Sequence, residues 1–272
     1  MIRTSKPMIR ELRIIRSSYI LWYAIVIGFV ILLIQTIPEL TNQSAEGEIL
    51  AHYKSNIEAF CLSILFGSFA YVCPSICSMN AAFSFCDEYN SGNMLLVLTR
   101  TGHKKYVIAK IFSTALFGFC VIFIILLCFG VFVSCFYTPI SAIDPESSLP
   151  LQNSIFGAFY QLQNGTIFII TEAVVGGLYG ATWSILGLAS AIWYPNRFVS
   201  LATPFLVSYI ANIMTARYLK NEMLNPTNML LPYEISIVPS FGYLLIFQLA
   251  MTGAFVILFI LGFVWRSRKD AF

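Results

Sequence analysis

Six long apolar stretches, separated by shorter polar ones, dominate the pattern of this chain. They cover residues 18–37, 59–82, 106–136, 166–194, 198–216 and 241–265. A helix rises 1.5 Å per residue, so about 20 apolar residues match the ~30 Å hydrocarbon core of a bilayer. The third stretch is longer than that, and we expect it to tilt or to project from the membrane. The pattern therefore predicts an all-α membrane protein with six transmembrane helices, in which residues 18–272 form a single domain.

The composition agrees with a chain that lives in lipid. Hydrophobic residues make up 58% and charged residues 11% of its 272 residues, whereas a soluble domain carries about 25% charged residues. The net charge of +3 is too small and too dispersed to indicate nucleic-acid binding. Cys73 and Cys77 lie one helical turn apart and could bind a soft metal, but no histidine or further thiol stands near them in sequence. We favour packing for these thiols and predict no metal site.

The basic residues set the predicted orientation. Of the sixteen Lys and Arg residues, thirteen lie in or next to a terminus or loop that the positive-inside rule places in the cytoplasm, and the exceptions are Lys54, Arg217 and Lys220. Both termini are therefore predicted to be cytoplasmic, as is the loop at 83–105. The predicted outer loops are 38–58, 137–165 and 217–240.

The segment at 1–17 is predicted to be an amphipathic helix on the inner leaflet. Met8, Leu12 and Ile15 recur at helical spacing, while arginines form a separate stripe. The alternative is a basic tail that only sets the topology. No small-residue cleavage site follows, so we expect the first apolar stretch to remain as a span.

Two parts of the outer loops are themselves apolar. The segment at 151–165 could be a lid or an interfacial connector, and we favour the connector. The segment at 229–239 is interrupted by prolines, which indicates a re-entrant or interfacial piece.

The fourth and fifth spans carry the polar and small residues of interest. Gly176, Gly180 and Ser184 form one small-residue row on the fourth span, which lets helix backbones approach closely within the chain or across a dimer. On the fifth span, Ser208 and Asn212 form a partly polar face that should look toward protein or a wet path.

Glu172 is the one acid well inside a predicted span. It either contacts a substrate or gates its path, or it reaches back to the outer interface. The cost of burying a charge in the membrane favours the second interpretation.

The stretch from Asn80 to Lys110 is the polar segment with the most varied chemistry. An acidic pair, Asp87 and Glu88, precedes Gly92, and the apolar run at 94–98 follows. A run this short cannot span a bilayer, so we expect it to dock against something. The basic residues after it are Arg100, Lys104 and Lys105.

Enzymatic activity is not predicted for this chain. Both histidines, His52 and His103, fall in predicted loops, and neither an HExxH nor a GxSxG motif is present. A GxxxxGK[ST] motif is also absent, and no polar stretch is long enough for a nucleotide-binding domain. Any work driven by ATP must come from another polypeptide.

The order of these features resembles a type-2 ABC exporter permease. The resemblance rests on the basic N-terminal helix, six spans, and the loop with Glu88, Gly92, an apolar run and a basic stretch. It implies that this loop forms a coupling helix seated in a groove of a partner ATPase subunit. The residues implied to make that contact are Asp87, Glu88, Gly92, Met94, Leu95, Leu96, Leu98, Arg100, Lys104 and Lys105. For the charged residues, pairing within a solvated loop remains open, as does packing of the leucines on the membrane.

The resemblance also implies the assembly and its activity. It implies two permease copies, identical or different, and two ATPase subunits that bind ATP and Mg, with no cofactor in this chain. We expect export of a hydrophobic or amphipathic cargo, preferably an antimicrobial or toxin-like peptide, across a bacterial plasma membrane. The alternatives are a secondary carrier that uses Glu172 and a membrane sensor or assembly subunit that transports nothing.

Overall fold

A computed structural model describes residues 19–45, 56–65, 68–137, 139, 165–230 and 239–269. The predicted helix at 1–17 and most of the segments at 151–165 and 229–239 lie outside these residues. The helices are α1 (Tyr19–Ala45), α2 (Asn56–Leu65), α3 (Phe69–Asn80), α4 (Cys86–Asn90), α5 (Asn93–Thr101), α6 (His103–Phe136), α7 (Gly165–Trp193), α8 (Arg197–Ile213) and α9 (Phe241–Lys269). Two π-helical turns, Ala81–Phe85 and Met214–Leu219, extend α3 and α8, and two short 3₁₀ turns follow, Glu222–Leu224 and Pro226–Met229.

The predicted fold class is confirmed. Six helices are long and apolar enough to cross a membrane, and the described part of the chain contains no strand. α7 lies at the centre, because 72% of its apolar window is buried, against 22% for the windows of α8 and α9. It packs on α6, α9, α3 and α8.

The small-residue row on α7 explains why this helix is central. A Cβ placed on Gly180 would lie 2.5 Å from the carbonyl oxygen of Gly118 on α6, so only glycine allows this approach. One turn further, the Ser184 hydroxyl donates a hydrogen bond to the Thr114 carbonyl at 3.0 Å. The row therefore packs within the chain, against α6.

The second span is divided, and it extends further than the sequence predicts. Pro74 has no N–H to donate to the Ala70 carbonyl, so the first turn of α3 lacks one hydrogen bond. α3 begins at Phe69, directly before this turn. From α3 the chain stays helical through the π-helical turn to Asn90, past the predicted end at residue 82. Asp87 and Glu88 therefore lie on an extension of the span.

The bundle has two ends that differ in character. One end, which we call the basic end, is formed by α4, α5, the start of α6, the turn at 194–197 and Arg266 near the end of α9. The opposite end is formed by α2 and residues 212–230.

Candidate functional site at the basic end

Two glycines separate α5 from the helices on either side. Gly92 has φ +70° and Gly102 has φ +77°, in the region where residues with a Cβ are strained. Nine residues between them form α5, and Gly102 serves both as its C-cap and as the N-cap of α6. The chain is thus built to turn sharply into and out of one short helix.

α5 has a buried face and an exposed face. Met94 and Leu98, four residues apart, pack with Phe85, Tyr106 and Phe263 in a cluster at the basic end. Leu95 and Leu96 point outward and are 45% and 59% exposed. Within the predicted docking run at 94–98, Met94 and Leu98 therefore belong to the core. Leu95 and Leu96 are the exposed leucines that a partner could contact.

A buried ion pair holds α4 to α6. The Lys110 ammonium lies 3.0 Å from Glu88 Oε2, and the two side chains are 2% and 8% exposed. Tyr106 donates its hydroxyl proton to the same carboxylate oxygen at 3.0 Å. Lys110 also donates to the Ser84 hydroxyl at 3.0 Å. Charged hydrogen bonds of this kind fix geometry strongly, so α4 and the start of α6 form one unit.

A second ion pair holds α4 to α8 at the surface. The Arg197 Nε lies 2.7 Å from Asp87 Oδ1, and both side chains are about half exposed. Asn90 Nδ2 donates a hydrogen bond at 3.3 Å to the carbonyl of Pro195, in the turn just before Arg197. On the other side, the Arg266 guanidinium lies 4.4 Å from the centre of the Tyr89 ring. Side chains from α6, α8 and α9 thus surround α4.

The remaining predicted contact residues lie at the surface of this end. Arg100 is on α5, Lys104 and Lys105 are in the first turn of α6, and all three are exposed. Arg100 lies one helical turn after Leu96 on α5, so the exposed leucines have a positive charge beside them.

The sequence interpretation missed the partners of the acidic pair. Lys110 and Arg197 were used only to set the orientation and Tyr106 had no assigned role, although Lys110 falls inside a predicted span. A lysine within a span requires a partner, and that requirement was the available signal. The sequence did not show which acid is the partner of Lys110, because Glu88 is 22 residues away on another helix.

The predicted membrane residues lie elsewhere, toward the middle and the opposite end. Glu172 on α7 is 0% exposed, so it does not reach the bundle surface as its position had suggested. Asn212 has the protein partners expected of it, since its amide donates to the Tyr71 hydroxyl at 3.0 Å and accepts from Asn225 Nδ2 at 2.8 Å. The Ser208 hydroxyl is buried beside the hydroxyl of Tyr179 on α7.

Within the described ranges, no three His, Cys, Asp or Glu side chains are grouped so that they could hold an ion. The Cys73 and Cys77 sulfurs lie 3.9 Å apart in the core, as packed thiols do.

Taken together, these features define an α-helical multi-pass membrane protein with a short amphipathic helix anchored at one end. No family model, curated protein or solved structure matches the chain.

Proposed function

We propose that this chain is the membrane-spanning permease subunit of an ATP-driven ABC exporter, energised by a separate ATPase subunit. The observation that carries the proposal is α5, a short helix that presents Leu95 and Leu96 outward while its opposite face is fixed in the core. An amphipathic helix with two apolar anchors suits a groove on a partner protein.

The chemistry around the leucines favours a protein partner of a particular kind. Leu95 and Leu96 supply the desolvated centre of a contact, and Arg100, Lys104 and Lys105 supply a positive border. Rim charges mainly orient a partner and speed its association. A groove with an apolar floor and acidic edges on the ATPase subunit would complement this surface.

The buried ion pair offers a route for motion from α5 into the membrane. α5 follows α4 through a single glycine turn, and Glu88 on α4 is bonded to Lys110 on α6. α6 in turn packs along α7 through the Gly118 and Gly180 contact. Closure of the ATPase subunits would displace α5 and shift α6 and α7 together, between inward-open and outward-open arrangements.

The proposal specifies the rest of the assembly. Two copies of the permease, identical or different, would pair with two ATPase subunits, and these would hold ATP and Mg while this chain holds no cofactor. The basic end would face the cytoplasm of a bacterial cell. The cargo would be hydrophobic or amphipathic, and among such molecules we favour a peptide.

One observation favours a second candidate. Glu172 is buried without a hydrogen-bond partner among the described residues, as an ion-coupled carrier residue would be. A secondary carrier would depend on this acid and would need no ATPase. A sensor or assembly subunit would need neither.

The test is purification of the tagged chain from its native membrane in mild detergent, scored for copurified ATPase subunit and ATP hydrolysis. We expect a near-stoichiometric ATPase with the wild type and its loss with Leu95→Asp/Leu96→Asp. The matched control is Ser91→Asp/Asn93→Asp, which adds two charges at exposed positions, one just before α5 and one at its first residue. It should retain the ATPase.

Thermal unfolding of each purified variant shows whether the double aspartate variant still folds. Absence of any ATPase from the wild type in several mild detergents would overturn the proposal. Equal loss with the control variant would show that charge alone is responsible and would remove the leucines from the contact.

A further inference from the structure

Glu172 is a buried acid with no neutralising group among the residues that the structure describes. Its side chain is 0% exposed, and neither carboxylate oxygen has a hydrogen-bond partner in the described ranges of the chain. By contrast, Glu88 and Asp87 at the basic end both have cations against them. A buried polar group without a hydrogen-bond partner costs about 1–3 kcal/mol, so the conformation seen here leaves Glu172 unsatisfied.

The surroundings of Glu172 are apolar. Phe168 and Gly176 lie one turn before and after Glu172 on α7. The Cys61 thiol of α2 lies close to the Glu172 carboxyl group. Leu230 closes the same side, with Cδ1 3.7 Å from the position of a Cβ on Gly176. Phe168, Cys61 and Leu230 all belong to the main core cluster.

A small polar cavity adjoins this region at the opposite end. It has a volume of about 110 Å³, and Leu230 and Ile64 form part of its wall. Its polar lining is uncharged and includes Tyr71, Asn212 and Asn225, which are joined by hydrogen bonds, together with Thr227 and Asn228. Leu230 therefore lines the cavity on one side and contacts the Glu172 face of α7 on the other.

The chemistry around Glu172 selects among possible cations. A hard metal ion needs about six oxygen ligands, and Cys61, Phe168 and Leu230 supply none. An organic ammonium or guanidinium needs one carboxylate and an apolar surface for its hydrocarbon part, which this site does supply.

We propose that Glu172 binds the cationic group of an amphipathic cargo, an amine or a guanidinium, while the amide-lined cavity receives polar groups of the same molecule after Leu230 moves aside. The proposal rests on the transport function above and narrows the cargo to cationic amphiphiles. Glu172 would be the charged contact and Asn212 and Tyr71 the hydrogen-bonding ones.

The test uses the full-length chain purified in an uncharged detergent, with submicellar dodecylammonium as the probe and thermal unfolding as the readout. We expect dodecylammonium to raise the Tm of the wild type in a saturable way. Glu172→Gln should lose at least about tenfold in apparent affinity, the equivalent of 1.4 kcal/mol. Glu222→Gln, which removes an exposed acid at the opposite end, is the matched control and should respond like the wild type.

A second variant guards against a folding failure. Leu230→Ala keeps Glu172 and opens the wall between it and the cavity, so the probe should bind at least as tightly as to the wild type. An equal response of wild type and Glu172→Gln would overturn the proposal. So would a wild type that ignores the probe while its Tm depends on pH through Glu172, because that result would identify the ligand as a proton.

Copurified ATPase separates this proposal from the one on which it rests. Glu172→Gln should retain the ATPase subunit, since it is far from α5. Loss of probe binding with the ATPase retained concerns the cargo site alone, and a wild type without any ATPase concerns the transport function alone.

Discussion

The basic end and the opposite end of this bundle treat polar groups differently. At the basic end, Glu88 and Asp87 are each held by a cation, one in the core and one at the surface. Toward the opposite end, Glu172 is buried without a partner among the described residues, and the hydrogen-bonded network of Tyr71, Asn212 and Asn225 is uncharged. The acids at the basic end are thus satisfied within the chain, whereas the Glu172 carboxyl group finds no partner in the described part of the opposite half.

In the proposed exporter, this difference corresponds to two separate tasks, transmission of force at the basic end and binding of the cargo toward the opposite end. A segment that transmits force must keep its geometry, and paired charges with defined hydrogen bonds keep it. A segment that receives a ligand must leave groups for that ligand to satisfy, at some cost to stability when it is empty. Three substitutions test the comparison, in order of the expected loss of stability.

The largest effect is expected from Lys110→Met. It leaves the Glu88 carboxylate buried with Tyr106 but without its cation, and breaking a buried pair in this way costs about 3–5 kcal/mol. The measurement is the free energy of unfolding in mixed detergent. Glu88→Gln/Lys110→Met is the control, because removing both charges should recover most of the loss. Equal losses in the single and double variants would show that packing, and not charge, holds α4 to α6.

Much of the fold follows from the sequence, for a plain physical reason. Six apolar stretches of the length of a bilayer can only be helices, because lipid offers no partner for backbone groups. Gly92 was part of the pattern that carried the resemblance, whereas Gly102, which ends the same helix, had been given no role. The close packing of Gly180 on Gly118 could be read only as a small-residue row, since the partner helix is not written in that row.

The pairing of side chains was less accessible. Glu88 and Asp87 are neighbours in sequence, yet one is buried and the other half exposed, because successive residues on a helix point about 100° apart. That α4 is helical at all depends on the extension of the span past residue 82. Without that extension both acids look like loop residues, and the burial of Glu172 likewise depends on α2 and residues 226–230 closing over α7.

An intermediate effect is expected from Asn212→Ala. It removes the hydrogen bonds that join Tyr71 to Asn225, and it leaves the buried Asn225 amide without its acceptor. The expected loss is about 1–2 kcal/mol, because hydrogen bonds between membrane helices contribute modestly. Unfolding in mixed detergent measures it, with Tyr71→Phe as the control that removes one of the two bonds. A loss as large as that of Lys110→Met would contradict the view that the opposite end is the less rigid one.

The smallest effect is expected from Asp87→Asn, although this residue adjoins Glu88. The Asp87 and Arg197 side chains are about half exposed, so water screens their attraction and the pair contributes about 0–1 kcal/mol. Asparagine also keeps an oxygen that can accept from Arg197. The informative measurement is therefore the salt dependence of unfolding: the wild type should lose its small advantage over Asp87→Asn as salt rises, while the deficit of Lys110→Met should persist because its charge is shielded by protein. If salt abolished both differences, the Glu88 carboxylate would be reached by water, and the basic end would be no more rigid than the opposite one.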